Sequence, residues 1–164
     1  MLKKLLTLSF TLFTLVGGSD SEKTNDIYLI PEGYEGYVIA FYNVKGAPEI
    51  KKEGDYEVHD INNQGYSVTS TPDIDYGTIT DKYYYVDEKG KRTEINKECV
   101  RLLANGSLEI EPDTPNKIEM SYTGMKITKS QCSQDFMTAG GEVDQDKFDS
   151  VVQDITKNTT SLNK

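Results

Sequence analysis

His59 is the single histidine of this 164-residue chain, so any Ser-His-Asp or Cys-His chemistry would have to run through it. It stands in Tyr56-Glu-Val-His-Asp-Ile61, where apolar and polar residues alternate as in a half-buried strand. That alternation sends Asp60 to the opposite face, so Asp60 cannot orient the imidazole. The nearby Gly65-Tyr-Ser-Val-Thr69 lacks the second glycine of a nucleophile elbow. The sequence therefore reads His59 as an exposed strand residue, and no residue is expected to be catalytic.

Asp73, Asp75 and Asp81 surround a loop that contains Gly77, and three such oxygen ligands can hold a calcium ion. Their spacing matches only the start of an EF-hand loop and lacks the closing Glu, so solvated loop carboxylates are the simpler reading. No cofactor is expected. Cys99 and Cys132 are the only cysteines. An even count in an exported chain predicts a disulfide between them, tying the Val100 strand to the C-terminal segment. There are eleven tyrosines and no tryptophan. Tyr34, Tyr76, Tyr83 and Tyr85 are the candidates for a binding surface, because tyrosine gives contact area at low entropic cost. The competing reading packs these rings and wets only their hydroxyls.

The element that must position these groups is Ile27-Tyr-Leu-Ile-Pro-Glu-Gly-Tyr-Glu-Gly-Tyr-Val-Ile-Ala-Phe41. Pro31 and two glycines allow a reversal between two apolar runs, which predicts a hairpin. Tyr37, Ile39 and Phe41 fall on one face, Val38, Ala40 and Tyr42 on the other; both are apolar, as in a central strand. Further strands are expected at 56–61, 66–71, 82–86, 92–95, 100–103, 108–110 and 117–128. Asn105-Gly106 is the strongest hairpin signal. Phe148, Val151, Val152 and Ile155 keep helical spacing behind Asp144, a plausible N-cap, which predicts a helix over 145–157. The expected fold is mainly β, an antiparallel β-sandwich with one C-terminal helix packed on it.

The net charge is −9, which disfavours nucleic acid and anionic lipid headgroups as partners. Residues 1–18 read as a bacterial-type signal peptide: Lys3 and Lys4, an apolar run from Leu5 to Val16, then small residues up to cleavage after Gly18. The run is too short to span a membrane. Leu15-Val-Gly-Gly18 resembles a lipoprotein signal in which Gly18 replaces the lipidated cysteine. The mature chain is therefore expected to be secreted or envelope-associated, not integral to a membrane. Residues 19–26 read as a flexible leader, 27–157 as one domain and 158–164 as a frayed tail.

Ile30-Pro-Glu-Gly-Tyr-Glu-Gly36, Gly54-Asp-Tyr-Glu-Val58, and Asp75-Tyr-Gly77 with Asp81-Lys-Tyr-Tyr-Tyr85 together resemble an uncharacterised family of small bacterial secreted proteins and lipoproteins, a domain of unknown function. Gly36–Phe41, Pro48 and Gly54–Val58 bear a more distant resemblance to the transthyretin-like or carboxypeptidase-regulatory-like sandwich, which implies a non-catalytic module. Two classes of function follow. One is a non-catalytic exported sandwich, transthyretin-like or Ig-like, that binds an envelope component or a protein partner. The other is an envelope-acting hydrolase that uses carboxylates, with a calcium-dependent adhesion module as a third possibility. Buried carboxylates in a cleft would separate them, and no Asp or Glu lies inside an apolar run long enough to promise burial.

Overall fold

The computed structural model describes residues 22–111, 114 and 117–161. The proposed signal peptide and its lipoprotein-like end at Gly18 lie outside the described residues, as do 162–164. The strands are β1 (Lys23–Thr24), β2 (Asp26–Pro31), β3 (Gly36–Tyr42), β4 (Lys51–Glu53), β5 (Tyr56–Asp60), β6 (Tyr66–Val68), β7 (Thr78–Ile79), β8 (Lys82–Val86), β9 (Arg92–Glu94), β10 (Val100–Leu102), β11 (Gly106–Ile110) and β12 (Ile118–Ile127). Two helices follow, α1 (Gln134–Thr138) and α2 (Gln145–Ser161).

The strands form three sheets. One has the order β4-β5-β2-β8-β9; a second runs β10-β12-β3-β6, with β11 also on β12; β1 and β7 make a small pair. Both five-stranded sheets contribute to one core, in which Tyr28, Ile30 and Tyr83 meet Val38, Ala40, Tyr42, Met125 and Ile127. The opposite face of β3, carrying Ile39 and Phe41, packs with Met120, Val151 and Ile155. The layers are thus sheet, sheet and helix, a sandwich-like body with α2 on its outside.

β3 has the two faces that its alternation predicts, and it is central, flanked by β12 and β6. The expected hairpin is absent, however. A turn does form, with Tyr34 N–H donating to Pro31 O at 3.0 Å and Gly33 at φ 83°. The turn carries the chain from one sheet to the other, because β2 pairs with β5 and β8 while β3 pairs with β12 and β6. Nor are the sheets wholly antiparallel: β2 runs parallel to both neighbours, and β3 runs parallel to β6. β5 and β8 reach β2 only after the chain has crossed to the other sheet and returned, and such a crossover lets the returning strand run parallel to the one it joins.

Asn105-Gly106 is likewise not a hairpin turn. β10 and β11 pair with successive parts of the same β12, Val100 opposite Ile127 and Gly106 opposite Tyr122. The glycine at 106 leaves room for the Tyr122 ring, since a Cβ there would lie 3.0 Å from its hydroxyl and one of the two would have to shift. Two boundaries also move. The segment read as a flexible leader contains β1, and its last residue, Asp26, is a buried member of β2. Helix α2 runs to Ser161, past the expected end at 157 and into the segment read as a tail. Its start is as expected: Lys147 N–H donates to the Asp144 carboxylate at 3.1 Å.

Cys99 and Cys132 are bonded, S–S 2.02 Å, across a separation of 33 residues. The two segments are also joined by backbone, Thr128 N–H to Cys99 O and Ser133 N–H to Glu98 O. Closing a loop of this size should stabilise the fold by about 3.7 kcal/mol on the chain-entropy account. The double variant Cys99→Ala/Cys132→Ala is expected to lose that amount in urea unfolding. Unchanged stability would mean that the backbone bonds alone hold the segment.

Candidate functional site

Parallel register brings the chemistry together. Asp26 lies opposite Glu57 and Tyr28 opposite His59 on β5, while Tyr28 also lies opposite Tyr83 on β8. Side chains at these positions share the face of the first sheet that meets the core. The result is an aromatic row, with His59 stacked on Tyr28 at 4.8 Å and Tyr28 on Tyr83 at 5.5 Å. Beside it runs an acidic row that includes Asp26 and Glu57, joined by Asp81 from the start of β8.

His59 is 2% exposed, not a surface residue. The strand forms where expected but is not half-buried: Val58 and His59 are buried on its two faces, and Tyr42 of β3 meets the imidazole edge-on. Nε2 lies 3.2 Å from the Tyr42 hydroxyl and 3.4 Å from Asp26 Oδ1, and Nδ1 lies 3.4 Å from Ser67 Oγ. Ser67, His59 and Asp26 are therefore in line, with Ser67 at Nδ1. Ser67 and His59 border a cavity of about 230 Å³ that is also lined by Pro48, Asn62 and Thr69. This is below the ~300 Å³ at which small-molecule sites begin.

Asp26 and Asp81 are 4% and 6% exposed, so buried carboxylates are present where the sequence promised none. Asp26 Oδ2 accepts from Tyr28 at 3.1 Å. Asp26 Oδ1 is enclosed and has no hydrogen-bond partner among the described residues. Asp81 Oδ1 accepts from Thr24 Oγ1 at 2.7 Å and from Asp26 N–H at 3.3 Å, and its Oδ2 faces the Tyr83 hydroxyl at 3.4 Å. Burial pushes the Asp81 carboxyl above the usual range, and its hydrogen bond from Thr24 works against that rise. Burial, then repulsion from Glu57 and Asp26, raises Asp75 in the same direction. Burial likewise drives the Tyr28, Tyr42 and Tyr83 phenols upward, so they act as neutral hydrogen-bonding groups.

The calcium grouping read from the sequence is not assembled. Asp73 is exposed and Asp81 is committed to Thr24, Asp26 and Tyr83. Asp75 turns instead toward Asp26 and Glu57, and one oxygen of each lies within 4.8 Å of the others. Lys52 pairs with Glu57 at 3.1 Å.

The tyrosine candidates separate. Tyr83 is buried on the inner face and presents no surface. Tyr34 is half-buried, and its hydroxyl donates to Tyr37 O at 2.6 Å. Tyr85 is half-buried and donates to Tyr34 O at 3.0 Å. Tyr76 is 63% exposed, which leaves it as the candidate best placed for a partner. Asp26 was missed because it stands at the end of a charged stretch. Its one signal was the period-2 relation to Tyr28 and Ile30.

Residues 22–136 match a family of unknown function, DUF6843. A crystal structure from Bacillus anthracis, named "Putative Lipoprotein", is similar to this chain with a TM-score of 0.73 and 36% identity, covering 83% of this chain and 96% of that one. No curated protein matches the chain. These findings agree with the coarse form of the resemblance read around Ile30–Gly36, and the neighbour's name points to the cell envelope. Among the described residues no helix is long and apolar enough to cross a membrane.

Proposed function

This chain belongs to DUF6843, a family of unknown function, and from that premise we propose that it is an exported, envelope-associated domain that works by binding rather than by turnover. The observation that carries this reading is His59. The only histidine is 2% exposed and packed between Tyr28 and Tyr42, where it serves the core. The lipoprotein-like neighbour supports the compartment, with residues 1–18 as the export signal and cleavage after Gly18. The sandwich-like body acts as a rigid module, in the manner of transthyretin-like or Ig-like domains. Its loops carry the contact with an envelope component or protein partner. Tyr76, in the loop before β7, is the leading contact residue.

A second reading is favoured by one arrangement, the line Ser67–His59–Asp26 beside a cavity. Here Ser67 would be the nucleophile and His59 its base, acting on envelope esters or amides. The two readings are separated by co-sedimentation with isolated cell walls, run beside an ester, glycan and peptide hydrolysis screen. Tyr76→Ala is expected to weaken wall binding about tenfold, the loss of an exposed aromatic contact, with no turnover on any substrate. Turnover abolished by Ser67→Ala would overturn the binding reading.

A further inference from the structure

Asp26 and Glu57 are register partners on neighbouring parallel strands, so their side chains project next to each other from one face. Asp75 approaches from the loop, which is anchored there by buried Ile74. One oxygen from each carboxylate lies within 4.8 Å of the others. Two oxygens bound to one calcium ion at about 2.4 Å can be no more than about 4.8 Å apart, so this spacing allows all three carboxylates to reach a single ion.

Charge balance at the cluster is incomplete. Lys52 Nζ pairs with Glu57 Oε1 at 3.1 Å and is itself largely exposed. His59 Nε2 stands 3.4 Å from Asp26 Oδ1, but that nitrogen also meets the Tyr42 hydroxyl at 3.2 Å. With Nε2 closer to Tyr42 than to Asp26, Asp26 Oδ1 is left as an enclosed carboxylate oxygen that no donor among the described residues reaches in hydrogen-bonding geometry, which is costly in a buried site. A cation held by the three carboxylates would remove that cost and offset the repulsion between like charges brought this close.

We propose that Asp26, Glu57 and Asp75 bind a divalent cation of the hard, oxygen-seeking class, calcium above all. The donor set is all carboxylate, which suits Ca²⁺ and gives no preference to Zn²⁺. Asp26 forms the closed wall, while Asp75 is exposed and lies at the solvent side, so water completes the shell. A half-open site of this kind belongs with the extracellular modules that bind at about 0.1–1 mM. Bound calcium would tie the 72–77 loop to β2 and β5, and so fix the base of the loop that carries Tyr76. The proposal does not depend on the binding function above.

The test is thermal unfolding of the purified chain in EDTA and then in about 5 mM CaCl₂, MgCl₂ or ZnCl₂. Calcium is expected to raise Tm by about 2–5 °C. Asp75→Asn and Glu57→Gln should abolish that rise while keeping the Tm in EDTA at or above that of the wild type, since each removes one of several crowded like charges. Asp75 is exposed, so its variant is expected to fold. A wild-type Tm unmoved by calcium, a rise given by zinc alone, or a calcium rise that survives in both variants would overturn the assignment.

Discussion

Phe41→Ala is expected to cost about 4 kcal/mol, within the range for removing a fully buried phenylalanine. Phe41 is 0% exposed, on the face of the central strand β3 that meets helix α2. Its ring centroid lies 6.1 Å from that of Tyr122 and 5.9 Å from that of Phe148, which are 4.7 Å from each other. Truncation removes the member that touches both rings, so transfer free energy, the aromatic contacts and the filling of the space are lost together. Tyr122 and Phe148 are only half-buried and can lean inward, which holds the cost below the upper end of about 5 kcal/mol. Urea unfolding should show the midpoint falling with the slope unchanged. A loss under about 1 kcal/mol would mean that the two rings close the gap, and that the sheet–helix contact is looser than the geometry indicates.

That same strand shows what could be read without coordinates. The two faces of β3 followed from alternation alone, because period-2 burial is a local property. Where β3 goes was not local. Pro31, Gly33 and Gly36 specify that the chain turns, but nothing in them says whether the next strand rejoins the same sheet or crosses to another. The Asn105-Gly106 signal misled for a related reason: glycine was read as turn chemistry, whereas Gly106 makes room for Tyr122. The disulfide needed only a count and a compartment, and the start of α2 needed only Asp144 and the apolar spacing. The candidate site was nearly illegible. Asp26, Glu57 and Asp75 are far apart in the chain, and they converge through the register of two parallel strands and the anchoring of one loop. Sequence patterning showed that His59 alternates with Val58 but not which face β3 would cover.

Val151→Asp is expected to be at least as damaging as Phe41→Ala, by about 4–5 kcal/mol, because it places a carboxylate in a tightly packed apolar cluster. Val151 and Ile155 are each 3% exposed and join Ile39, Phe41, Val44 and Met120 in one apolar cluster. The new charge would either remain there unpaired or push α2 away from the sheet. Undocking would also break the bond from the Tyr66 hydroxyl to Asp154 and that from Lys147 Nζ to Gln64 O, the polar ties on the same side. Val152 is the internal control. It is half-buried at the edge of the stripe, so Val152→Asp should cost only about 1 kcal/mol. Equal effects at 151 and 152 would mean that the helix faces the sheet differently. Combining Phe41→Ala with Val151→Asp should cost less than the sum of the two, since a helix already displaced no longer needs the phenylalanine ring to fill the space beneath it. Strict additivity in that cycle would mean that strand and helix are stabilised independently, and that Phe41 and Val151 do not share one packed layer.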